Sequence, residues 1–321
     1  MAPGSAVPPP VTAVLDASRR WLPARLGEVE DQLRKAISGW DGPLGEDAAT
    51  TLAAGGKRLR PMLVLLCAGE SGGAEAVRAA TAIELVHMAT LVHDDVLDEA
   101  PLRRGLPTVA ATSGRGRAVA TGDLLLSRAF ALLSEAGDRH AVLLLADAAV
   151  ALARGELAQR QDAFDLRIDE ERYLHRCRLK TATLFECAVS LGRDDAELRR
   201  FGAAVGLAFQ LLDDVLDVIG PPERTGKARG TDLLDGTVTL PLIVAAERDP
   251  ELRRIDLAGL DPAGAEAVCD RIAATGALDA VRARALDLVT EGKRRLARTS
   301  FDGEGRRLLE LVADGVVQRY S

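Results

Sequence analysis

Aromatic residues are scarce: Phe, Trp and Tyr together make up 3% of the 321 residues, while Ala and Leu abound. Sheets draw on β-branched and aromatic side chains and helices on Ala and Leu, so this balance argues for helices and against a β-sandwich or barrel. Cysteine is equally sparse. Cys67, Cys177, Cys187 and Cys269 are widely spaced with no Cys-x-x-Cys pair, a pattern that fits buried, reduced thiols in a cytoplasmic protein and not a zinc site or a disulfide framework. There is no basic tract. Lys and Arg are interspersed with acidic residues and the net charge is −7, so no nucleic-acid partner is expected. No stretch approaches the roughly 18 uncharged apolar residues of a membrane span. Residues 1–12 are small and Pro-rich, without a charged region leading into an apolar run, and read as a disordered lead-in and not a signal peptide.

What is present is helical period. Leu59, Met62, Leu63 and Leu66 recur at that spacing, as do Ala82, Leu85, Val86 and Ala89, and again Leu207, Leu211, Leu212 and Val215. The pattern predicts about ten to thirteen helices. Breakers such as Gly72-Gly73, Pro101, Gly220-Pro221-Pro222 and Asp249-Pro250 fall between the runs. Residues 169–220 read as nearly unbroken helix, and no alternating strand with a hairpin turn stands out. Helices apolar on more than one face belong inside a bundle. The expectation is therefore all-α, with residues 13–321 forming a single domain.

Three sets of residues carry chemistry. Leu91-Val-His-Asp-Asp-Val-Leu-Asp98 ends an apolar run, with Asp94 and Asp98 stacked one turn, about 5.4 Å, apart on a helix face. Such like charges repel, so a cation is expected to offset them. Oxygen-only ligands suit Mg²⁺, which binds through one or two carboxylates plus substrate phosphate. Arg103 and Arg104 follow just after Pro101, and guanidiniums suit bidentate phosphate contacts. Phe209-Gln-Leu-Leu-Asp-Asp-Val-Leu-Asp217 repeats the pattern, with Asp213, Asp214 and Asp217 matching Asp94, Asp95 and Asp98. One acidic helix end is usually a solvated face or a cap. Two copies on strongly apolar helices make a metal-binding mouth over a greasy interior, fit for a diphosphate head with a hydrocarbon tail.

The third set is basic. Gly55-Gly-Lys-Arg-Leu-Arg-Pro61 places Lys57, Arg58 and Arg60 at a helix start, where backbone amides also favour an anion. It lacks the upstream Gly and the following Ser/Thr of a Walker A loop. Lys180-Thr181 sits within an apolar helix, and Lys227 lies in a Gly/Pro-rich loop after the second motif. His87, two turns before Asp94, shares roughly its face; a lone His there is otherwise a core residue with one hydrogen bond.

Together these motifs, in this order, with Gly122-Asp123 and Gly155-Glu156-Leu-Ala-Gln159, resemble the trans-isoprenyl diphosphate synthase (polyprenyl synthetase) family over roughly residues 52–242. The resemblance implies a bundle of mostly antiparallel helices around a central cavity, of isoprenoid-synthase type, normally a homodimer. It implies an enzyme that joins isopentenyl diphosphate head to tail with an allylic diphosphate by ionisation, condensation and deprotonation. It also implies about three Mg²⁺ ions: Asp94 and Asp98 holding two, Asp213 the third, with Asp95, Asp214 and Asp217 acting through water or neighbouring groups. By the same resemblance, Arg103, Lys180, Thr181, Gln210 and Lys227 meet the allylic diphosphate, and Lys57, Arg60, His87 and Arg104 the isopentenyl diphosphate. One position departs from the pattern: the family often has Lys before x-Thr-Leu-Pro, and this chain has Thr237. A charge-assisted contact of that kind contributes about 1.5–3 kcal/mol.

Residues a turn or more before Asp94 should set the depth of the tail cavity. Val86, Ala89 and Thr90 are not aromatic, so products beyond fifteen carbons are expected, with Phe130 a candidate floor. A medium or long polyprenyl diphosphate is the first reading and geranylgeranyl diphosphate the second. Close helix packing alone also accounts for small residues there. A class I terpene cyclase would need no isopentenyl site, and a non-catalytic partner subunit would not be expected to keep both acidic motifs.

Overall fold

The computed structural model describes residues 9–40, 42–103, 105–220, 229–301 and 303–318. Its elements are α1 (Pro9–Ala17), α2 (Leu22–Ser38), α3 (Pro43–Ala53), α4 (Leu59–Ala68), α5 (Gly73–Leu97), α6 (Val109–Ser113), α7 (Arg115–Glu135) and α8 (Arg139–Gln161). Then come α9 (Glu170–Cys177), a π-helical segment (Arg178–Ala182), α10 (Thr183–Gly192), α11 (Ala196–Ile219), α12 (Thr231–Leu234), α13 (Leu240–Arg248), α14 (Pro262–Ala274), α15 (Ala277–Leu296) and α16 (Gly303–Gln318). The sixteen described α-helices outnumber the expected ten to thirteen because α6 and α12 are too short to show a period and the run expected over 169–220 divides into α9, α10 and α11. A small hairpin, β1 (Leu102–Arg103) and β2 (Leu106–Pro107), pairs antiparallel where no strand was expected. Two residues per strand leave no alternation to read.

Local sequence explains where the helices start. Asp138, Asp169, Asp195 and Asp261 each accept a hydrogen bond from a backbone N–H in the first turn of the following helix, which satisfies donors that have no intrahelical partner. The expected unbroken run over 169–220 is interrupted before α11, where Arg193 and Asp195 are extended. The lead-in also differs from expectation. Helix α1 opens at Pro9, inside the 1–12 segment, as proline allows in a first turn.

Helix α5 buries side chains on all its faces, from Ala76 to Val96, as a central helix must. It packs along α7; α11 packs along α15 and against α10, and α10 in turn lies on α4. α1 covers α16, so the first and last described helices meet. One continuous apolar core runs from Val14 to Val316. Among the described residues, no helix is long and apolar enough to cross a membrane.

One ion cluster ties the early helices together. Arg58, in the left-handed region at φ 49° just before α4, reaches Glu30 on α2 at 2.5 Å and the buried Glu84 on α5 at 2.7 Å. Arg58 therefore serves the fold, while Lys57 beside it is exposed. Removing one member of a buried ion cluster leaves the other charge unmatched, at a cost of about 3 kcal/mol. Arg58→Met is expected to lower the urea midpoint accordingly, and adding Glu84→Gln to recover part of the loss. A single variant as stable as the parent would show that the cluster does not hold the fold.

Candidate active site

Helix α5 delivers the first aspartates at its last turn. The Asp98 N–H donates to the Asp94 carbonyl at 2.8 Å, and Glu99, at φ 50°, turns the chain away. The three carboxylates of this turn then go to different partners. Asp95 is buried, and its Oδ1 accepts from Arg103 Nε at 2.6 Å. Asp98 Oδ1 accepts from Arg160 Nη2 on α8 at 2.5 Å. Asp94 is half-buried and faces Lys180, Glu156 and Asp98. Its carboxyl is pushed up to about 6, first by desolvation and then by Glu156 and Asp98, against the pull of Lys180 and Arg103.

Lys180 and Thr181 belong to the π segment, whose wider turn interrupts the run from α9 to α10. Lys180 Nζ lies 2.5 Å from Glu156 Oε2. Burial works against its charge, but Asp94, Glu156 and Asp98 outweigh it and raise its pKa. This approach needs Gly155: a Cβ there would stand 2.6 Å from the Lys180 backbone nitrogen. The next residue faces the second motif. Thr181 Oγ1 donates to Gln210 Oε1 at 2.6 Å, and Gln210 Nε2 donates to Asp214 Oδ1 at 2.7 Å. The Tyr173 hydroxyl donates to Asp214 Oδ2 at 2.5 Å. Burial, then Asp232 and Asp213, holds the Asp214 carboxyl well above the usual range, while the Tyr173 and Gln210 hydrogen bonds oppose that shift.

Asp213 is exposed at the end of α11. Asp217 Oδ2 accepts the Asp232 N–H at 3.2 Å and so pins the start of α12. Among the basic set, the Arg60 guanidinium lies 4.9 Å over the Phe185 ring, which in turn lies 5.7 Å from Phe209, next to Gln210. His87 opens on a pocket shared with Thr50, Arg58, Asp95 and Arg103. Arg104 and Lys227 lie outside the described residues. Val86 and Ala89 are fully buried on α5, and Thr90 Oγ1 donates to the His87 carbonyl at 2.8 Å. Phe130 is half-buried on α7, the helix that packs along α5.

The first motif is thus gathered with Lys180 and Arg103, and the second with Thr181 and Gln210. Adjacent residues of the π segment bridge the two. Asp95, expected to act on the metal through water or neighbouring groups, is buried and has one oxygen engaged by Arg103. Three contributors were not expected. Glu156 had been noted only within a lesser signature, yet it holds both Lys180 and Arg160; Arg160 follows it by four residues, a helical-pair spacing that was legible. Tyr173 is one of two tyrosines in an aromatic-poor chain.

The donor set is oxygen-only. Among the described residues no three of His, Cys, Asp and Glu stand close enough to cage an ion unaided. Such a set fits an ion that completes its shell with water and substrate oxygen, as Mg²⁺ does.

A family model described as Polyprenyl synthetase matches residues 43–272. The heptaprenyl diphosphate synthase component 2 of Geobacillus stearothermophilus is 40% identical over 277 residues, covering 83% of this chain and 87% of that one. The geranylgeranyl diphosphate synthase of Methanosarcina mazei is 34% identical over 284 residues, covering 83% and 86%. The crystal structure of a polyprenyl synthase from Caulobacter crescentus CB15, complexed with calcium and isoprenyl diphosphate, superposes with a TM-score of 0.87 at 31% identity, covering 99% of this chain and 100% of that one.

Because the Asp94 carboxyl sits near 6 without a metal, its charged form weakens the fold as pH rises through that value, and a bound cation relieves the penalty. Mg²⁺ is therefore expected to raise the melting temperature more at pH 7.5 than at pH 5.5, and to bind about fourfold more weakly at the lower pH. Equal Mg²⁺ effects at both pH values in thermal melts and calorimetry would remove Asp94 from the metal site.

Proposed function

The chain belongs to the polyprenyl synthetase family and is a prenyltransferase that elongates an allylic diphosphate with isopentenyl diphosphate; on that premise we propose that it makes a medium- or long-chain trans-polyprenyl diphosphate with Mg²⁺. The observation that carries the assignment of the site is the π segment, on which Lys180 meets one aspartate-rich helix end and Thr181 the other.

Asp94, Asp98 and Asp213 would hold the metal, with Asp95 and Asp217 orienting their surroundings. Bound there, Mg²⁺ would neutralise diphosphate oxygens and act as a Lewis acid. Lys180 and Arg103 stabilise charge growing on the leaving diphosphate. Lys57, Arg60 and His87, together with Arg104, bind isopentenyl diphosphate and aim its double bond at the allylic carbon. Thr181 and Gln210 position the allylic diphosphate, with Lys227 from the following loop. The apolar interior excludes water from the allylic cation. No side chain stands out as the base, so the released diphosphate takes the proton. Four free, buried cysteines suit a reducing compartment and support action in the cytoplasm.

The relatives' names cover heptaprenyl and geranylgeranyl products, so length is read from this chain's own residues before Asp94. Val86 and Ala89 are small, buried residues on the helix leading to Asp94, which supports a long product, with Phe130 as floor. Purified protein supplied with Mg²⁺, isopentenyl diphosphate and ten-, fifteen- or twenty-carbon primers is expected to yield linear diphosphates in five-carbon steps beyond twenty carbons by mass spectrometry. A series ending at twenty carbons would favour the geranylgeranyl reading, and cyclised hydrocarbon would overturn the synthase. Ala89→Phe is expected to shorten the product; an unchanged length would refute that assignment.

A homodimer is the proposed assembly. Leu143, Val150 and Leu157 lie seven residues apart on α8, each more than half exposed, in one apolar stripe. Native mass measurement is expected to give a dimer that Leu143→Glu with Val150→Glu converts to monomer. A monomeric parent would point instead to a different partner subunit, in keeping with the name of the Geobacillus relative as one component.

A further inference from the structure

Arg160 stands in the acidic mouth without a part in the reaction outlined above. It lies one helical turn after Glu156 on α8, with Nε 3.0 Å from Glu156 Oε1. Its Nη2 reaches across to Asp98 Oδ1, 2.5 Å away, on a helix end 62 residues earlier in the chain. A Glu–Arg pair one turn apart on a helix contributes only a few tenths of a kcal/mol, and on its own would be surface decoration. The long-range contact is different, because it occupies a carboxylate that the first motif offers to a cation.

Charge in the mouth is matched almost one for one. Arg103 takes Asp95, Lys180 takes Glu156, and Arg160 takes Asp98. Arg103 and Lys180 are each about a quarter exposed, whereas Arg160 is 37% exposed and the freest to swing. A divalent ion bound to Asp98 would sit roughly 2.1 Å from its oxygen, and a guanidinium in contact with that oxygen both repels the ion and crowds its shell. The guanidinium has five donors in a rigid fork. With Nε still held by Glu156, the edge released from Asp98 remains in the mouth and faces whatever anion arrives with the metal.

We propose that Arg160 is a positioning residue that occupies Asp98 until a divalent cation binds, and then, tethered by Glu156, turns its free edge to the incoming diphosphate. The proposal rests on the reading of Asp98 as a metal ligand. It predicts opposite effects on two ligands: loss of the guanidinium helps the metal and hurts the diphosphate. A purely structural arginine would weaken both or neither.

The test uses Mn²⁺, visible by electron paramagnetic resonance, titrated into the full-length, substrate-free protein. Arg160→Gln is expected to bind Mn²⁺ about two- to fivefold more tightly, the range of a partly exposed ion pair. Its KM for the allylic diphosphate should rise roughly tenfold, with a smaller change for isopentenyl diphosphate. Arg160→Lys, which keeps the charge, should hold Mn²⁺ near the parent's affinity and recover part of the KM. Mn²⁺ affinity equal to or below the parent's in Arg160→Gln overturns the competition with the metal. Tighter Mn²⁺ with an unchanged KM overturns the hand-over to diphosphate. A parent protein that binds no Mn²⁺ would instead overturn the metal reading of Asp98 beneath both.

Discussion

A carboxylate at the end of an apolar helix loses hydration that the hydrocarbon interior cannot replace, and a second one a turn away repels it as well. Both aspartate-rich helix ends face this constraint, and the protein meets it in two ways. Around α5 the compensation is ionic: Arg103, Lys180 and Arg160 surround Asp94, Asp95, Asp98 and Glu156. On α11 the buried Asp214 accepts from two neutral donors, the Tyr173 hydroxyl and the Gln210 amide, and Asp217 accepts a backbone N–H. Asp95 and Asp214, which match in sequence, are therefore held differently, one by a guanidinium and the other by neutral donors. The hydrogen bonds on the buried Asp214 fix α11 against α9 and the π segment.

Bringing these partners together requires backbones to approach where side chains would normally keep them apart. The π segment is flanked by two such approaches, Gly155 from α8 and Gly206 from α11. A Cβ on Gly206 would lie 2.8 Å from Ala182 Cα, as forbidding as the contact at Gly155. The segment is pinned from both sides by glycine, with its consecutive residues facing different clusters. In a regular helix, neighbours are about 100° apart and only residues three or four apart share a face. Lys180 and Thr181 exploit that divergence, one toward each aspartate-rich helix.

Much of this was legible in the sequence, and the reason is physical. The low aromatic content, the absence of alternation and the long apolar periods require a helical bundle, and paired carboxylates on apolar helices require cations. The partners of individual carboxylates were not legible, because pairing across the bundle leaves no local spacing. Tyr173 and Asp214 are 41 residues apart, and Arg160 and Asp98 are 62. Arg58 shows the converse. It stands between two residues assigned to substrate, yet its left-handed backbone directs it to Glu30 and Glu84 in the fold. The hairpin at 102–107 was invisible because two-residue strands have no pattern, although it positions Arg103 toward Asp95.

Thr237 stands where the resemblance led us to expect a lysine, and the backbone around it is firmly placed. The buried Arg176, 3.5 Å from Asp162, donates through Nη2 to the Val238 carbonyl at 2.7 Å. On the other side, the Phe164 N–H donates to the Gly236 carbonyl at 2.8 Å, and the Thr237 N–H to the Asp232 carbonyl at 2.8 Å. The segment is thus held at three successive residues, by two carbonyls that accept and one N–H that donates. Asp232, which anchors Thr237, also gives its N–H to Asp217, so the second acidic motif and the 236–239 turn are one unit.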